Sequence, residues 1–244
     1  MLPHEIILVD DASTDNTFIL LNELSDKNEV KVSVISLESN SGVASARNVG
    51  LLAANQPYVA FLDADDAWHP KKLQIQYEIM SQNKNIVISG HNSSQKNADQ
   101  PTRLVDWPNI NHNPQINTIS KCNALLSNPF ITSTVMMKRE PIFRFKEQKR
   151  FSEDYLLWLQ LILHPLTAIH ISSSLASSFK ASFGESGLSA NLWQMEIGEL
   201  STYKQIYREN KINLAIFLFL VIYSFAKFLR RVIITRKRLS FRKL

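Results

Sequence analysis

Two carboxylates separated by one residue follow an apolar segment in the first third of the chain. Asp63 and Asp65 come directly after the run Tyr58–Leu62. Carboxylates at the end of an extended segment can converge on a divalent cation, and such oxygen ligands suit Mg²⁺ or Mn²⁺. Taken alone, the pair also fits a solvated turn in front of a helix, because Pro70 favours a first helical turn shortly afterwards.

A second acidic pair, Asp10 and Asp11, ends the apolar run that starts at Glu5. A carboxylate at the end of a strand can accept a hydrogen bond from a nucleotide base or a sugar, but it can also cap the helix that follows. Asp15, a little further on, is of the type that forms turns and helix caps. The pair therefore indicates either a ligand contact or a cap.

Two further segments combine charge with a helix. Arg47 lies among small residues of a predicted helix, where its guanidinium could bind phosphate oxygens bidentately or form an ordinary ion pair. Glu153 and Asp154 follow Ser152, the predicted N-cap of a hydrophobic helix. The positive end of the helix dipole keeps a carboxylate ionised and available as a base, and simple charge complementarity with the helix end is the alternative.

Alternating strands and helices must position these side chains. The predicted strands are 5–10, 31–37, 58–62 and 86–89, and the predicted helices are 18–24, 43–54 and 70–82. This alternation predicts an α/β fold with a mostly parallel sheet flanked by helices. Ligands of such sheets bind beyond the carboxyl ends of the strands, which is where both acidic pairs lie.

The second half of the chain is less regular. The sequence predicts a long surface loop at 91–119 and a strand at 130–138. One or two further strands are predicted at 168–182, followed by a small loop at 183–191 and a helix at 192–210. The single cysteine, Cys122, excludes a disulfide framework and a cysteine-based zinc site, and we expect a buried, inert thiol. The six histidines are scattered and offer no metal cluster.

Charge is distributed unevenly along the chain, whose formal net charge is +5. From Asn210 onward there are nine Lys/Arg and no Asp/Glu, so acidic groups outnumber basic ones in the remainder. A mildly acidic body with a basic tail does not match a nucleic-acid binder, which needs a basic patch on the folded body. We therefore expect a domain at 1–209, a basic tail at 210–244 and no nucleic acid as a partner.

The tail begins with an apolar segment, Leu214–Ala226, of thirteen residues in which only Ser224 is polar. As a helix it would be about 20 Å long, short of the ~30 Å hydrocarbon core of a bilayer. Ser224, Lys227, Arg231 and Arg238 recur at helical spacing and form a polar stripe. This pattern predicts an amphipathic helix on an anionic membrane surface, and the alternatives are packing on the protein's own domain or spanning the membrane.

Four motifs occur in order along the chain, and together they are more specific than any one of them. They read VDDASTD, NSGVASARNVG, FLDADDAWHPKKL and SEDYLLWLQL. Their order and separation resemble the family 2 glycosyltransferases of the GT-A fold, from about Glu5 to Leu163. The resemblance implies a Rossmann-like α/β enzyme that moves a sugar from a nucleotide-diphosphate donor to an acceptor hydroxyl, with inversion at the anomeric carbon.

The resemblance also implies roles for individual residues. The acid that ends the VDD strand would contact the nucleotide base, which points to Asp11 with Asp10 beside it, and Arg47 would lie near the nucleotide. Asp63 and Asp65 would be the DxD acids of the donor site. Asp65, with Asp63, would bind the Mn²⁺ or Mg²⁺ that bridges the donor diphosphate.

Asp154 of the ED motif would be the catalytic base, and the loop at 183–191 could close over the acceptor. The acceptor implied is a lipid-linked or growing cell-surface glycan, as in bacterial surface-polysaccharide or lipopolysaccharide synthesis. Because of the basic tail, we expect a peripheral protein at the cytoplasmic, inner face of a bacterial membrane.

One departure from the family pattern bears on activity. Members normally carry a strand and a helix before the VDD strand, and this sequence lacks that first unit, which indicates a truncated or a degenerate chain. Its loss would expose apolar surface and remove donor contacts, so a catalytically impaired remnant with a binding or scaffolding role is the alternative function. A nucleotidyltransferase would need a glycine-rich, lysine-bearing phosphate loop near the first strand, which the sequence does not show.

Overall fold

Strands and helices alternate through the first half of the protein, which confirms the predicted α/β class. The computed structural model describes residues 1–26, 29–96, 107, 110, 114–140, 142–179 and 191–241. The strands are β1 (Glu5–Asp10), β2 (Lys31–Ser36), β3 (Tyr58–Ala60), β4 (Asp66–Trp68), β5 (Ile86–Gln95), β6 (Ile116–Thr118), β7 (Met136–Lys138) and β8 (Thr167–Ser178). The helices are α1 (Thr17–Asp26), α2 (Val43–Ala53), α3 (Lys72–Gln82), α4 (Lys121–Leu126), α5 (Glu153–Leu163), α6 (Leu192–Arg208) and α7 (Leu214–Phe241).

The strands form two hydrogen-bonded groups within the described residues. β1 and β2 pair in parallel, from Glu5 opposite Lys31 to Asp10 opposite Ser36. The other six form a mixed sheet in the order β3-β7-β5-β8-β4, with β6 also paired to β8. Only β5 and β8 are parallel neighbours in that sheet, so it is more antiparallel than the sequence predicted. Parallel neighbours need a crossover of about a dozen residues, which β5 and β8 have, since α4, β7 and α5 lie between them along the chain.

Helix α5 forms the centre of the hydrophobic core, as its unbroken apolar sequence predicted. Leu157, Trp158 and Leu159 are buried on successive sides of the helix, which is the pattern of a helix covered all round. The Trp158 ring packs against Phe61 and Phe145 at centroid distances of 6.1 and 5.8 Å. This packing fixes the acidic first turn of α5 relative to the end of β3.

The predicted loop at 91–119 is partly built into strands. β5 continues to Gln95, and β6 lies near the end of the predicted loop. β8 makes both strands possible, because its irregular pairing with β5 extends to Gln95 and its first half also pairs with β6. Most of the remainder, at 97–106, 108–109 and 111–113, lies outside the described residues.

The predicted strand at 130–138 is shorter than expected. Only Met136–Lys138 forms a strand, and Thr132–Thr134 forms a turn of 3₁₀ helix instead. The turn closes through two backbone hydrogen bonds, from the N–H of Thr134 to the carbonyl of Ile131 at 2.8 Å and from the N–H of Val135 to the carbonyl of Thr132 at 3.0 Å. Backbone groups that bond within the turn are not available to a neighbouring strand.

Two other predictions for the second half have different outcomes. The buried thiol is wrong, because Cys122 is exposed. Helix α4 is short and buries Ala124 and Leu125, which leaves Cys122 on its solvent side. The predicted loop at 183–191 lies outside the described residues, except for Asn191, whose side chain caps α6.

The basic tail forms a long helix, α7, that packs on α6 and α4. Leu220 and Ser224 are buried in this contact. Lys227 and Arg231 face the body of the protein, where both bind Glu199 of α6. The predicted polar stripe is therefore present, but its described members contact the protein's own domain. No helix in the described part of the chain has the length and apolar content needed to cross a membrane.

Candidate active site

A single arginine connects three of the sequence motifs. Arg47 extends from α2, and its Nη2 donates a hydrogen bond of 2.9 Å to Asp63 Oδ1. Its Nη1 donates a bond of 2.9 Å to Glu153 Oε1, which is 106 positions away in sequence. The guanidinium carbon also lies 5.4 Å from the centroid of the Phe145 ring. The arginine, DxD and ED motifs thus meet around one largely buried guanidinium. In this structure Arg47 forms ion pairs, which is the alternative to phosphate binding that its sequence context left open.

The charges in this cluster change one another's proton affinity. Burial opposes the charge on Arg47, but the carboxylates of Asp63 and Glu153 outweigh it and raise the pKa of the guanidinium. Burial, and then the negative charge of Asp154, raises the pKa of Glu153 to about 6, although Arg47 opposes the shift. Burial likewise raises the pKa of Asp154. The two adjacent acids therefore bind protons more strongly than ordinary carboxylates do.

Asp154, the predicted base, is held at the start of α5 by uncharged donors. Its Oδ2 accepts hydrogen bonds from Thr132 Oγ1 at 3.3 Å and from Asn128 Nδ2 at 3.4 Å. Its Oδ1 accepts a bond of 2.6 Å from the backbone N–H of Tyr155. Ser152 occupies the N-cap position with φ of 56°, and its side chain makes no capping hydrogen bond. The acids of the first turn, rather than the predicted serine cap, therefore stabilise this helix end.

The acids after β3 form a cluster that fits a divalent cation. Carboxylate oxygens of Asp63, Asp65 and Asp66 all lie within 4.8 Å of one another. Asp63 is half-buried, Asp65 is exposed, and Asp66, which sequence analysis did not assign, is buried. Asp66 Oδ1 has no hydrogen-bond partner among the described residues, and a buried acceptor of this kind needs one. An oxygen-only donor set suits Mg²⁺ or Mn²⁺, so the residues present fit the predicted cofactor.

The 3₁₀ turn at Thr132–Thr134 touches both acidic groups. Ser133 Oγ accepts a hydrogen bond of 3.0 Å from the backbone N–H of Asp63, and the neighbouring Thr132 donates to Asp154. The turn therefore helps to set the separation between the DxD segment and the predicted base. This role is not predicted by the sequence pattern, in which the available signal is a run of three polar residues between apolar ones.

Asp11 holds the loop that leads into α2. Its Oδ1 and Oδ2 accept hydrogen bonds from the backbone N–H groups of Ser41 at 2.7 Å and Gly42 at 2.8 Å. Gly42 has φ of 87°, a conformation that residues with a side chain rarely adopt. Asp11 therefore contacts the loop before α2 rather than capping α1, the helix that follows it, and its contact with a nucleotide base stays a prediction.

Asp10 and Asp15 also stabilise the loops around the end of β1. Asp10 accepts hydrogen bonds from the N–H of Ser13 at 3.3 Å and from Ser36 Oγ at 3.1 Å, and these contacts lower the pKa of its carboxyl group. Asp15 Oδ1 accepts bonds from the N–H and the hydroxyl of Thr17, the first residue of α1, at 2.9 and 2.5 Å. The sequence predicts a turn or a cap at Asp15, and the structure shows a turn in front of α1, closed by the bond from the N–H of Thr17.

Similarity to known sequences identifies relatives of the chain. A family model described as glycosyl transferase family 2 matches residues 2–144. The putative teichuronic acid biosynthesis glycosyltransferase TuaG of Bacillus subtilis is 31% identical over 211 residues, which cover 84% of this chain and 78% of the relative. The UDP-Glc:alpha-D-GlcNAc-diphosphoundecaprenol beta-1,3-glucosyltransferase WfaP of Escherichia coli is 29% identical over 189 residues, which cover 72% of this chain and 70% of the relative.

Two solved structures share the fold. S. aureus TarS in complex with UDP-GlcNAc matches with a TM-score of 0.61 at 18% identity, over 84% of this chain and 59% of the TarS chain. The mannosyltransferase PcManGT from Pyrobaculum calidifontis, in complex with GDP-Man and Mn²⁺, matches with a TM-score of 0.61 at 15% identity, over 98% of this chain and 71% of its own. These similarities confirm the predicted GT-A fold. Because the family model spans more than half of the chain, this protein belongs to glycosyl transferase family 2.

Proposed function

We propose that this protein transfers a sugar from a nucleotide-diphosphate donor to a hydroxyl of a lipid-linked or cell-surface glycan, with inversion at the anomeric carbon. The observation that carries the proposal is the contact of Arg47 with both Asp63 and Glu153, each at 2.9 Å. The guanidinium of Arg47 therefore bridges the acids of the proposed donor site and the first turn of α5, which bears the proposed base. The two groups that an inverting transfer needs are therefore neighbours.

On the donor side, the three acids of the DxD segment would hold Mn²⁺ or Mg²⁺, which supplies positive charge to the diphosphate leaving group when bound. Asp10 and Asp11 at the end of β1 bind the nucleotide, and Arg47 lies beside the diphosphate. The complexes of TarS with UDP-GlcNAc and of PcManGT with GDP-Man and Mn²⁺ support a donor and a cation of these classes.

On the acceptor side, Asp154 takes the proton of the attacking hydroxyl. Thr132 and Asn128 donate to one oxygen of Asp154 and orient the carboxylate without neutralising it. Because burial raises the pKa of Asp154, its carboxylate is a stronger base than an exposed aspartate. The acceptor oxygen bonds to the anomeric carbon as the bond to the diphosphate breaks, and the proton remains on Asp154.

The names of the relatives support a lipid-linked acceptor. WfaP and WfgD of Escherichia coli are both named for transfer to alpha-D-GlcNAc-diphosphoundecaprenol, and TuaG is named for teichuronic acid biosynthesis. The reaction would take place at the cytoplasmic, inner face of a bacterial membrane, where the basic segment 210–244 adds attraction to anionic lipids. The domain at 1–209 would then carry catalysis, and the tail would carry attachment.

Calorimetric titration with UDP and MnCl₂ tests the donor site. We expect UDP to bind in the presence of Mn²⁺ and to lose most of its affinity when EDTA removes the cation. Asp65→Asn should weaken binding at least tenfold, because it removes a charged ligand at the exposed position of the cluster. Asp26→Asn is the matched control, since Asp26 is an exposed acid at the end of α1, and it should bind as the wild type does.

Silence in the same titration, with folded wild-type protein, would instead support the catalytically impaired remnant with a binding or scaffolding role. One observation favours this second candidate. β1 and β3 each pair with a single strand among the described residues, so the pair β1–β2 is not continuous with the six-stranded sheet. The proposed nucleotide contacts at the end of β1 therefore depend for their position on loop hydrogen bonds and on the packing of α2 against β1.

A further inference from the structure

The orientation of α7 about its own axis is fixed by polar contacts with α6. Ser224 Oγ donates a hydrogen bond of 2.8 Å to Glu196 Oε1, and both partners are buried. Lys227 Nζ and Arg231 Nη2 donate to the two oxygens of Glu199, at 2.5 and 2.8 Å. Partly buried charge pairs of this kind hold a surface helix in one rotational setting, so the side of α7 that faces outward is determined.

The outward side of α7 is apolar. Five side chains there are between 48% and 71% exposed and recur at intervals of three and four residues: Leu218, Ile222, Phe225, Leu229 and Ile233. We call this set the apolar face of α7, and it extends over roughly 22 Å of helix. Trp193 of α6 is also exposed and continues the surface, since its ring lies 5.5 Å from that of Phe228. Continuous exposed apolar surfaces mark contact sites for other molecules or for membranes.

We propose that the apolar face of α7, together with Trp193, inserts into the headgroup region of an anionic lipid bilayer. This inference deepens the proposed function, because it replaces a general attraction of the tail to lipid by a defined contact face. It also gives the polar stripe of α7 a contact with the protein instead of a contact with the membrane. Ser224, Lys227 and Arg231 attach the helix to the protein, and the side chains that would meet lipid are the apolar ones.

Charge favours lipid over a second copy of this chain as the occupant. The segment from Asn210 onward carries nine Lys/Arg and no Asp/Glu. Two such helices packed face to face would bring like charges together without an acid in either segment to compensate them. Anionic lipids supply the opposite charge, and Arg230 and Arg236 are both exposed on the helix that would lie on them. An exposed Trp beside an apolar helix face is also typical of the membrane interface.

The contact face is linked to the proposed base through α4. Lys227 Nζ donates a second hydrogen bond, of 2.8 Å, to the carbonyl of Leu126 at the end of α4. Two residues later, Asn128 donates to Asp154 Oδ2. The helix that would lie in the interface is therefore attached to the segment that holds the proposed base. This arrangement suits an acceptor whose reactive sugar stays close to the membrane.

Co-sedimentation with lipid vesicles tests the contact face. We expect wild-type protein to bind vesicles containing 30% phosphatidylglycerol and to bind pure phosphatidylcholine vesicles at least tenfold more weakly. The double variant Ile222→Glu/Leu229→Glu should reduce binding to the anionic vesicles at least tenfold. The matched control is Leu20→Glu/Ile142→Glu, at two apolar side chains that are also exposed but lie elsewhere, and it should bind as the wild type does.

Tryptophan emission provides a readout that needs no charge substitution. Anionic vesicles should shift the emission of the wild type to shorter wavelength, and Trp193→Phe should remove most of that shift while leaving sedimentation intact. Unchanged sedimentation of Ile222→Glu/Leu229→Glu, or no shift on vesicle binding, would overturn the proposal. A wild-type dimer that this variant converts to a monomer in sedimentation velocity would overturn it in favour of self-association. Binding of UDP with Mn²⁺ is measured separately. A failure to bind vesicles would therefore leave the transferase proposal standing, and a failure to bind UDP would leave the membrane contact standing.

Discussion

Gly198 of α6 lies directly against Phe151, two residues before the acidic first turn of α5. A Cβ atom at Gly198 would be 2.7 Å from Phe151 Cβ and 2.8 Å from Phe151 O. The Gly198 carbonyl also accepts a hydrogen bond of 2.6 Å from Lys149 Nζ. The close contact of α6 with Lys149 and Phe151 fixes the position of the segment that leads into Glu153 and Asp154.

Gly198→Ala should therefore lower both stability and turnover. The added methyl group must displace backbone, which costs about 1–3 kcal/mol in the free energy of unfolding, and the displacement would reach Asp154. Gly50→Ala is a matched control in a helix, because its Cβ would lie 3.5 Å from Val9 Cγ2, an ordinary contact, and we expect it to be neutral or stabilising by up to about 1 kcal/mol. Urea unfolding compares the two, and equal values for wild type and Gly198→Ala would contradict the packing argument.

Removing the charge of Arg47 should destabilise the protein in a pH-dependent way. Arg47→Met leaves Asp63 and Glu153 without their shared cation, at a cost of about 3 kcal/mol at pH 8. The pKa of Glu153, about 6 in the wild type, rises further when the cation is lost, so Glu153 is protonated at pH 5 and the cost becomes smaller there. Thermal unfolding at the two pH values measures this difference. A destabilisation that is the same at both, or larger at pH 5, would show that the ion pairs do not carry the effect.

The pH dependence of turnover should report on Asp154. Its carboxylate must be ionised to accept a proton, and burial raises its pKa, so kcat/KM should rise with pH along a limb that lies above the ordinary range of aspartate. Glu153→Gln removes the adjacent negative charge and should move this limb to lower pH while turnover persists at pH 8. The two acids titrate as a pair, so the limb gives apparent values. A limb unaffected by Glu153→Gln would contradict the electrostatic coupling.

Asp66 should contribute to cation binding although sequence analysis did not assign it. Because Asp66 Oδ1 is buried and has no partner among the described residues, Asp66→Asn removes charge without breaking a hydrogen bond at that atom. We expect Mn²⁺ affinity, measured by the loss of the free-ion EPR signal, to fall at least fivefold while the unfolding midpoint changes little. Unchanged Mn²⁺ affinity would remove Asp66 from the cation site.

The sequence predicts the places of the acidic segments in the fold well, because each follows a strand or begins a helix whose apolar pattern is strong. It does not predict what lies between them. The contact of Arg47 with Glu153 joins residues 106 positions apart, and Ser133 reaches Asp63 from a turn that resembles a strand in sequence. Such contacts depend on how helices and sheet pack, and local propensity carries no information about them.

The basic tail is a second case in which the sequence predicts an element but not the contacts it makes. The spacing of Ser224, Lys227 and Arg231 correctly predicts one polar stripe on a helix. Which partner meets that stripe depends on Glu196 and Glu199, which lie on α6 and are recognisable as partners only after α6 and α7 pack together. The prediction that Cys122 is buried is wrong for a related reason, since α4 is too short for its apolar pattern to identify a buried face.

Acceptor-dependent nucleotide release tests the central claim most directly. Wild-type protein and Asp154→Asn are each incubated with Mn²⁺, undecaprenyl-diphosphate-linked GlcNAc and a panel of UDP- and GDP-sugars, and free nucleotide is measured with and without the acceptor. We expect the wild type to release nucleotide from one donor only when acceptor is present, and Asp154→Asn to lose at least about a hundredfold in rate while it still binds that donor. Release by Asp154→Asn at the wild-type rate would contradict the account.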